Sequence, residues 1–571
     1  MNEYAAPHEI LAIKDVDDTV VATLARELGV SPVIARILAC RKLTTFDECK
    51  SFFRPSLDHF HDPFLFKDMH KAVDRIMAAV AKKEKIVVHG DYDVDGVSAT
   101  VLLVRVLSAL GAVCEYYLPN RLTEGYGVSV TAVDTIHRRQ GKVIITADCG
   151  ITACAPVDRA REYGIDVIVT DHHEVHTALP EACAVLDPKV AGCPYPDKHL
   201  AGVGVALKLC QALTTVSACS DDLWRKHLDI VSLGTAADIV PLVGENRIIV
   251  TYGFKQLNTT TSVGLQKLIK FQGIAGKRIS TSDVVFLLAP CINAAGRLGD
   301  STRGVKLLLT DDEAEATLYA RELVEMNKER RALDAYVQDH AVEWILNNID
   351  VQNEYAIVAG STDWHVGVIG IAASKMVERF YRPTFLFSID DEGCAKGSGR
   401  SIRGLHLLDA LNECSDLLES YGGHEAAAGA SIRAENLPAF RKRFNEAVSR
   451  RITLEELIPK VFADAEIEVA QLTPKFFNIL KQMEPFGPGN MRPVLLCHDL
   501  RHRYEPRIVG KNHLKMTVTK AGQVIDAIAF NFGERFDEVK YSDSFSLAFS
   551  LDENTWNGRT TLQMKVKGVA L

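Results

Sequence analysis

Residues 85–100, Lys85-Ile86-Val87-Val88-His89-Gly90-Asp91-Tyr92-Asp93-Val94-Asp95-Gly96-Val97-Ser98-Ala99-Thr100, decide how the rest of the chain is read. Ile86, Val87 and Val88 form a short continuous apolar run, the mark of a strand buried on both faces. From Val97 onward Ala99, Val101, Leu102, Val104, Leu107 and Leu110 recur at helical spacing, so the acidic stretch between the two is a loop from the carboxyl end of a strand to the amino end of a helix. Ligands of open α/β sheets collect at such loops. One imidazole and three carboxylates packed there repel one another unless a cation sits among them. A metal answers this economically, since it relieves the repulsion among the carboxylates and accepts a neutral imidazole. The plain alternative is a solvated acidic turn.

Three more clusters lie downstream. Asp148 follows the run Val143-Ile144-Ile145-Thr146-Ala147, Asp171-His172-His173 follows Val167-Ile168-Val169-Thr170, and Asp238 stands in apolar company in LGTAADIVPL, residues 233–242. Taken singly, each acid could be a helix cap and each histidine a satisfied core imidazole. If the runs are neighbouring parallel strands, their ends meet Asp93 and Asp95, and a carboxylate in apolar surroundings needs a charged partner. Jointly the four clusters point to a metal site.

The runs alternate with helical patterns from about residue 76 to 310, which predicts a parallel sheet covered on both faces by helices. Residues 1–75 read as a mostly helical lid or brace. Thr310-Asp311-Asp312-Glu313 reads as a capping box that opens a helix over 311–349, about 50 Å long and suited to bridging two lobes. A second α/β lobe is expected over 350–455. EPFGPGN, residues 484–490, is a rigid turn cluster, and the strand-like runs around and after it predict a small barrel over 456–571.

A chain of 571 residues suggests roughly three or four domains. No window approaches the run of about 18 apolar residues that a membrane span needs, and MNEYAAPHEI has no signal-peptide character, so a soluble, cytoplasmic protein with no membrane association is expected. Its 13 cysteines, without a C-x-x-C pair, are expected to be reduced thiols. The formal charge of −9 carries no global nucleic-acid signature, though it leaves room for a local basic groove.

HGDYDVDG, TADCG, TDHH and LGTAADIVPL, in this order, closely resemble the four motifs of the DHH phosphoesterase superfamily. The resemblance runs over nearly all of the chain and is weakest over the first seventy-five residues. It continues in Asn293-Ala294-Ala295-Gly296-Arg297, in WHVGVIG and GSGRS, and in Gly422-Gly423-His424-Glu425-Ala426-Ala427-Ala428-Gly429. It implies a DHH lobe, a DHH-associated lobe and an oligonucleotide-binding (OB-like) barrel. The activity implied is that of the superfamily's 5′→3′ exonucleases, which hydrolyse single-stranded DNA to 5′-mononucleotides in repair and recombination.

The resemblance also implies two ions, Mn²⁺ or Mg²⁺: one held by His89, Asp93 and Asp148, the other by Asp95, Asp148, His172 and Asp238, with Asp148 bridging. Two ions about 3.5–4 Å apart can activate water and clamp a phosphate. His173 would hydrogen-bond the nucleophile or the phosphate, and Asp91 would orient its neighbours. Arg121, Ser398 and Arg400 are expected to bind the terminal 5′-phosphate, and Arg297 and His365 to touch the strand. Ser401 belongs to the same basic glycine-rich segment, while Gly423 and His424 sit where backbone can approach a ligand closely. In the last domain Phe530, Phe532 and Trp556, with Arg501, Arg503, Lys511 and Lys515, either fill the barrel core or stack and track a single strand.

Implied partners are single-stranded DNA, a single-strand binding protein and a RecQ-type helicase, with the chain a monomer. The alternatives are a phosphoesterase of short oligonucleotides or cyclic dinucleotides and a non-catalytic single-strand-binding scaffold.

Overall fold

The computed structural model describes residues 8–120, 124–175, 178–217, 219–298, 300–556 and 558–571. The chain divides into two compact units: Lys50–Glu329 with Met483–Met491, and Met1–Cys49 with Arg330–Gln482 and Arg492–Leu571.

The first unit is built on a five-stranded, all-parallel sheet in the order Val113–Tyr117, Lys85–Gly90, Val143–Ala147, Asp166–Thr170, Ala184–Leu186. Each central strand is apolar on both faces because helices cover both. Ile86, Val88, Ile145 and Ile168 point into one core, and Val87, Ile144, Val167 and Val169, one residue out of phase, into the other. Helices Val94–Ala109 and Gly202–Val216, apolar on most sides, are buried almost all round and pack on the first face. Helices Val130–Arg138 and Cys154–Glu162 cover the other. Lys85–Gly90 lies between Val113–Tyr117 and Val143–Ala147, so the chain leaves Lys85–Gly90 toward one edge of the sheet and Val143–Ala147 toward the other, opening a crevice between their carboxyl ends. That is the crevice where open sheets bind ligands.

The second unit holds a five-stranded mixed sheet in the order Ser420–Gly423, Ala427–Arg433, Cys394–Arg400, Thr384–Ile389, Ile357–Ser361. Phe385 meets Phe440 and Phe444 edge-on, and Phe387 meets Phe440 edge-on, on one face, while Leu386 packs with the helix Ile369–Phe380 on the other. The strands Leu495–Val509, His513–Lys520, Gln523–Ala529, Arg559–Ala570 and Phe545–Trp556 pair in that order, and the last closes on the first to make a barrel.

Three details depart from the expectations drawn from sequence. The N-terminal region is not all helix: Ile10–Ile13 is a strand that pairs in parallel with Lys460–Ala463, and Met1–Cys49 packs in the second unit. Four residues are too short to show a period. The 36-residue helix Glu313–Asn348 is capped by Asp312 rather than Thr310. Asp312 Oδ1 accepts from the backbone N–H of Ala314 and Glu315, both at 2.8 Å, and Thr310 Oγ1 donates to Glu315. Finally, EPFGPGN lies outside the barrel unit, because Met483–Met491 packs in the unit of the parallel sheet.

Among the described residues no cysteine is in a disulfide, and no helix is long and apolar enough to cross a membrane.

Candidate metal centre and strand-binding residues

Three acids stand in a row at the carboxyl ends of three adjacent strands, each held by the main chain of the next strand. Asp91 N–H donates to Ala147 O, Asp148 N–H to Thr170 O and Asp171 N–H to Leu186 O, each at 3.1 Å. Asp148 takes a left-handed φ of 65°, a conformation that Asp tolerates better than most residues. Asp93 caps the helix Val94–Ala109, its Oδ1 accepting from Asp95 N–H at 2.9 Å and Gly96 N–H at 3.1 Å.

Asp95 turns the other way and binds the start of a second helix. Its Oδ2 accepts from Gly202 N–H at 2.7 Å and its Oδ1 from Val203 N–H at 3.0 Å. That helix start comes so close that a Cβ on Gly202 would sit 2.4 Å from Asp148 Oδ1.

Three groupings bring potential ligand atoms within 4.8 Å of one another: Asp91, Asp93 and Asp148; Asp95, His172 and Asp238; and Asp148, His172 and His173. Asp91 therefore stands among the carboxylates where the resemblance put His89. His89 lies outside these groupings, stacked on Tyr117 with ring centroids 5.4 Å apart, and its buried Nε2 has no hydrogen-bond partner. Asp148 Oδ1, both ring nitrogens of His172 and Asp238 Oδ2 are likewise buried and without hydrogen bonds. Yet His172 Nε2 is 3.1 Å from Asp148 Oδ1 and 3.6 Å from Asp238 Oδ2. Buried polar atoms that converge without bonding are costly, and a cation shared by Asp148 Oδ1, His172 Nε2 and Asp238 Oδ2 satisfies these three at once.

The electrostatics agree. Burial, then the charge of Asp93, pushes the Asp95 carboxyl up to about 7. Burial and the surrounding carboxylates push Asp148 and Asp238 well above the usual range. Burial drives His89 down to about 4, and burial with the neighbouring His173 drives His172 down to about 3, so both imidazoles are neutral donors.

His173 behaves differently. Burial pushes it down, but its Nδ1 contact with Asp171 Oδ1 at 2.7 Å, together with the charges of Asp171, Asp95 and Asp91, outweighs burial and raises it. A carboxylate only accepts, so Nδ1 carries the proton and Nε2 is left for other contacts.

Four residues given no role from sequence complete the site. Asp171 also accepts from the backbone N–H groups of Ile151, His172 and His173 at 2.8, 2.7 and 3.2 Å, which fixes the histidine pair. Tyr126 Oη lies 3.4 Å from Asp148 O and 3.3 Å from His173 Nδ1. Asn293 Oδ1 accepts from Val94 N–H at 3.0 Å and so braces the acidic loop, and Gly202 admits the helix start. Asp171, in the Asp-His-His triplet, and Asn293, in the NAAGR segment, had a visible signal; Tyr126 and Gly202 had none.

The strand-binding candidates sort less evenly. Arg297 lies in the last turn of the helix Ala289–Leu298, whose Gly296 packs on the acidic loop; a Cβ there would lie 2.9 Å from Tyr92 O. In the second unit, Arg400 Nη1 donates to Ser398 Oγ at 3.0 Å and to Gly399 O at 2.7 Å. A Cβ on Gly370, at the uncapped amino end of Ile369–Phe380, would lie 2.9 Å from Ser398 Oγ and 3.0 Å from Arg400 Nη2. Ser398, Arg400 and a helix amino terminus thus converge, the ingredients of an anion site.

His365 Nδ1 accepts from Gly367 N–H at 3.0 Å in the turn before that helix. Ser401 points elsewhere, its hydroxyl donating to Leu405 O at 2.8 Å. Gly423 is a packing glycine: a Cβ would lie 2.5 Å from Ala427 O, across the hairpin that His424 N–H closes at 2.9 Å. Arg121 lies outside the described residues, as does the Trp556 side chain. In the barrel, Phe530 is not core: it is 47% exposed and meets His513 edge-on, while Tyr504 is 65% exposed under the Arg503 guanidinium.

Known proteins match this arrangement in order. Residues 85–235 match the DHH family N-terminal domain, 352–450 the DHHA1 domain and 463–568 the RecJ OB domain. The single-stranded-DNA-specific exonuclease RecJ of Bacillus subtilis is 38% identical over 562 residues, covering 98% of this chain and 70% of its own length. That of Escherichia coli is 34% identical over 578 residues, covering 97% and 98%. The crystal structure of RecJ from Thermus thermophilus in complex with Mn²⁺ superposes with a TM-score of 0.85 at 29% identity, covering 99% of this chain and 80% of that one. The same protein in complex with Mg²⁺ gives 0.79 at 28%. On the parallel-sheet acids, the three domain matches in sequence order and relatives matched over most of their own length, the chain belongs to the RecJ family of DHH phosphoesterases.

Proposed function

We propose that the chain is a two-metal exonuclease that hydrolyses single-stranded DNA from the 5′ end to 5′-mononucleotides, in repair and recombination. One observation carries this: Asp91, Asp93, Asp95, Asp148, His172, His173 and Asp238 converge at the head of a parallel sheet, with buried ligand atoms of Asp148, His172 and Asp238 left without hydrogen bonds.

In this reading His89, Asp93 and Asp148 hold one Mn²⁺ or Mg²⁺, Asp95, Asp148, His172 and Asp238 hold the other, and Asp91 joins the first set. When bound, the ions lower the pKa of water and neutralise charge on the phosphate. His173, its Nδ1 proton kept by Asp171, presents Nε2 to the nucleophile or the phosphate. Asp95 ties the acidic loop to the helix Gly202–Val216, and Asn293 holds the other side of that loop. Ser398, Arg400 and the amino end of Ile369–Phe380 take the terminal 5′-phosphate, with Arg121, and Arg297 and His365 serve the strand. The same reading has the chain work as a cytoplasmic monomer beside a single-strand binding protein and a RecQ-type helicase.

The test is degradation of 5′-labelled single-stranded DNA, duplex and short RNA with Mn²⁺, Mg²⁺ or EDTA. The expected result is labelled mononucleotide released first, from single-stranded DNA only and only with metal. Internal cuts, a preference for short RNA or activity in EDTA would overturn the proposal.

A further inference from the structure

EPFGPGN falls in sequence between the helix Pro474–Gln482 and the barrel strand Leu495–Val509, yet it packs in the unit of the metal centre. The turn is closed on itself. Gly487 and Asn490 exchange main-chain bonds of 3.0 and 2.9 Å, and the buried Asn490 Nδ2 donates to Met483 O at 2.8 Å and Pro485 O at 2.9 Å.

Arg247, on the helix Gly244–Leu257 and 3% exposed, grips its main chain. Nη1 donates to Met483 O at 3.2 Å and Pro485 O at 3.3 Å, Nη2 to Glu484 O at 3.0 Å and Nε to Phe52 O at 2.9 Å. A guanidinium sunk this deep is expensive, and here carbonyl oxygens supply the partners that its rigid fork of donors requires.

The far side of the turn meets the segment after Asp238. Pro488 O accepts from Leu242 N–H at 2.7 Å. Gly487 is required by contact, since a Cβ would lie 2.5 Å from Leu242 Cδ1. Between Asp238 and Leu242 stands Ile239, 74% exposed with φ 65°, a region that β-branched residues rarely enter. Such strain persists only where both ends of a segment are held. Asp238 N–H is tied to Gly234 O at 3.1 Å, and Pro241 O accepts from Asn246 Nδ2 at 3.1 Å. The turn adds a main-chain tie at Leu242, whose side chain is also buried in the core.

We propose that the EPFGPGN turn, clamped by Arg247, positions Asp238 for metal binding, with Arg247 and Gly487 as positioning residues. This rests on the reading that Asp238 holds a metal. By fixing Leu242 the turn sets how near Asp238 Oδ2 comes to His172 Nε2, 3.6 Å away.

The test uses the full chain. Gly487→Ala and, separately, Arg247→Lys are expected to weaken Mn²⁺ binding measured by calorimetry about tenfold, as loss of an outer support does. The Mn²⁺ concentration for half-maximal hydrolysis should move by the same factor, with kcat at saturating Mn²⁺ within about twofold of the parent. Leu242→Ala combined with Gly487→Ala makes room for the methyl group and should restore Mn²⁺ affinity.

Asp238→Asn separates the two readings. If it leaves Mn²⁺ binding unchanged, the role of Asp238 as a metal holder fails. If it weakens binding while Gly487→Ala and Arg247→Lys bind Mn²⁺ as the parent does, the positioning proposal is overturned. In the metal-free parent the Leu242 amide must exchange slowly with solvent deuterium; fast exchange overturns the proposal without any variant.

Discussion

His172 Nε2 and Asp148 Oδ1 lie 3.1 Å apart, both buried, and form no hydrogen bond. With the imidazole driven down to about 3, chiefly by burial, it is neutral, so this is not an ion pair. Two lone pairs aimed at a shared point are better explained by a cation between them than by each other.

Asp148→Asn tests that point. The substitution keeps the size of the side chain and removes the charge that the cluster resists. Hydrolysis should fall more than about a thousandfold, about 4 kcal/mol of transition-state stabilisation, while single-stranded DNA still binds. The metal-free variant should melt no lower than the parent, and added Mn²⁺ should no longer raise its Tm. Turnover near the parent level would falsify the central place given to Asp148.

The metal-free protein should also show the cluster in its pH dependence. Burial and Asp93 raise the Asp95 carboxyl from 3.8 to about 7, so across that window the folded state holds a proton that the unfolded chain has released. Stability of the metal-free protein therefore falls as pH rises from about 4 to about 7. Ions bind the deprotonated set, so the rise in Tm caused by Mn²⁺ should grow over the same window. Melting curves with Mn²⁺ or EDTA measure both, and a Tm difference independent of pH would contradict this account.

Asp171 acts through His173. Asp171→Asn removes the charge that, against burial, keeps the proton on His173, so the imidazole should lose its proton at lower pH than in the parent. Activity should fall about 10–100-fold, as when an outer-shell partner is lost. Imidazole NMR titration measures the first effect; an unmoved His173 would show that Asp171 does not hold its proton.

In the second unit two neighbouring residues should separate binding from packing. Arg400→Ala should cut the preference for 5′-phosphorylated over 5′-hydroxyl strands about tenfold, the loss of about 1.4 kcal/mol. Gly399→Ala would instead push a Cβ to 2.3 Å from the Phe385 ring and cost about 1–3 kcal/mol of stability. It should lower Tm and leave the 5′-phosphate preference intact. A lower Tm for Arg400→Ala with unchanged end preference would assign Arg400 to packing.

The alternation of apolar runs with helical periods makes a parallel sheet with acids at its strand ends legible in the sequence, because the hydrophobic period is a local property. The glycines of GSGR look like a phosphate loop in sequence. In space Gly397 and Gly399 are glycines because the Phe387 and Phe385 rings lie across them, each leaving 2.3 Å for a Cβ. The Ser398 and Arg400 side chains, one residue out of phase, face the helix Ile369–Phe380 instead. Ser401 and Gly423 lie in the same glycine-rich neighbourhood, but one serves a turn and the other a hairpin.

The residues alone showed which side chains were candidates to hold metal and that three of the four clusters follow strands, since a run of Ile and Val broken by Asp can be read without knowing its neighbours. Tertiary structure alone decided that Asp91, Asp148 and Asp171 stand side by side, that Asp91 rather than His89 joins the close group, and that EPFGPGN packs behind Asp238. The reason is physical. Periodicity along a chain says which face a side chain takes, whereas its neighbour across a sheet is chosen by main-chain bonds between segments far apart in sequence, and those form only when the whole core packs.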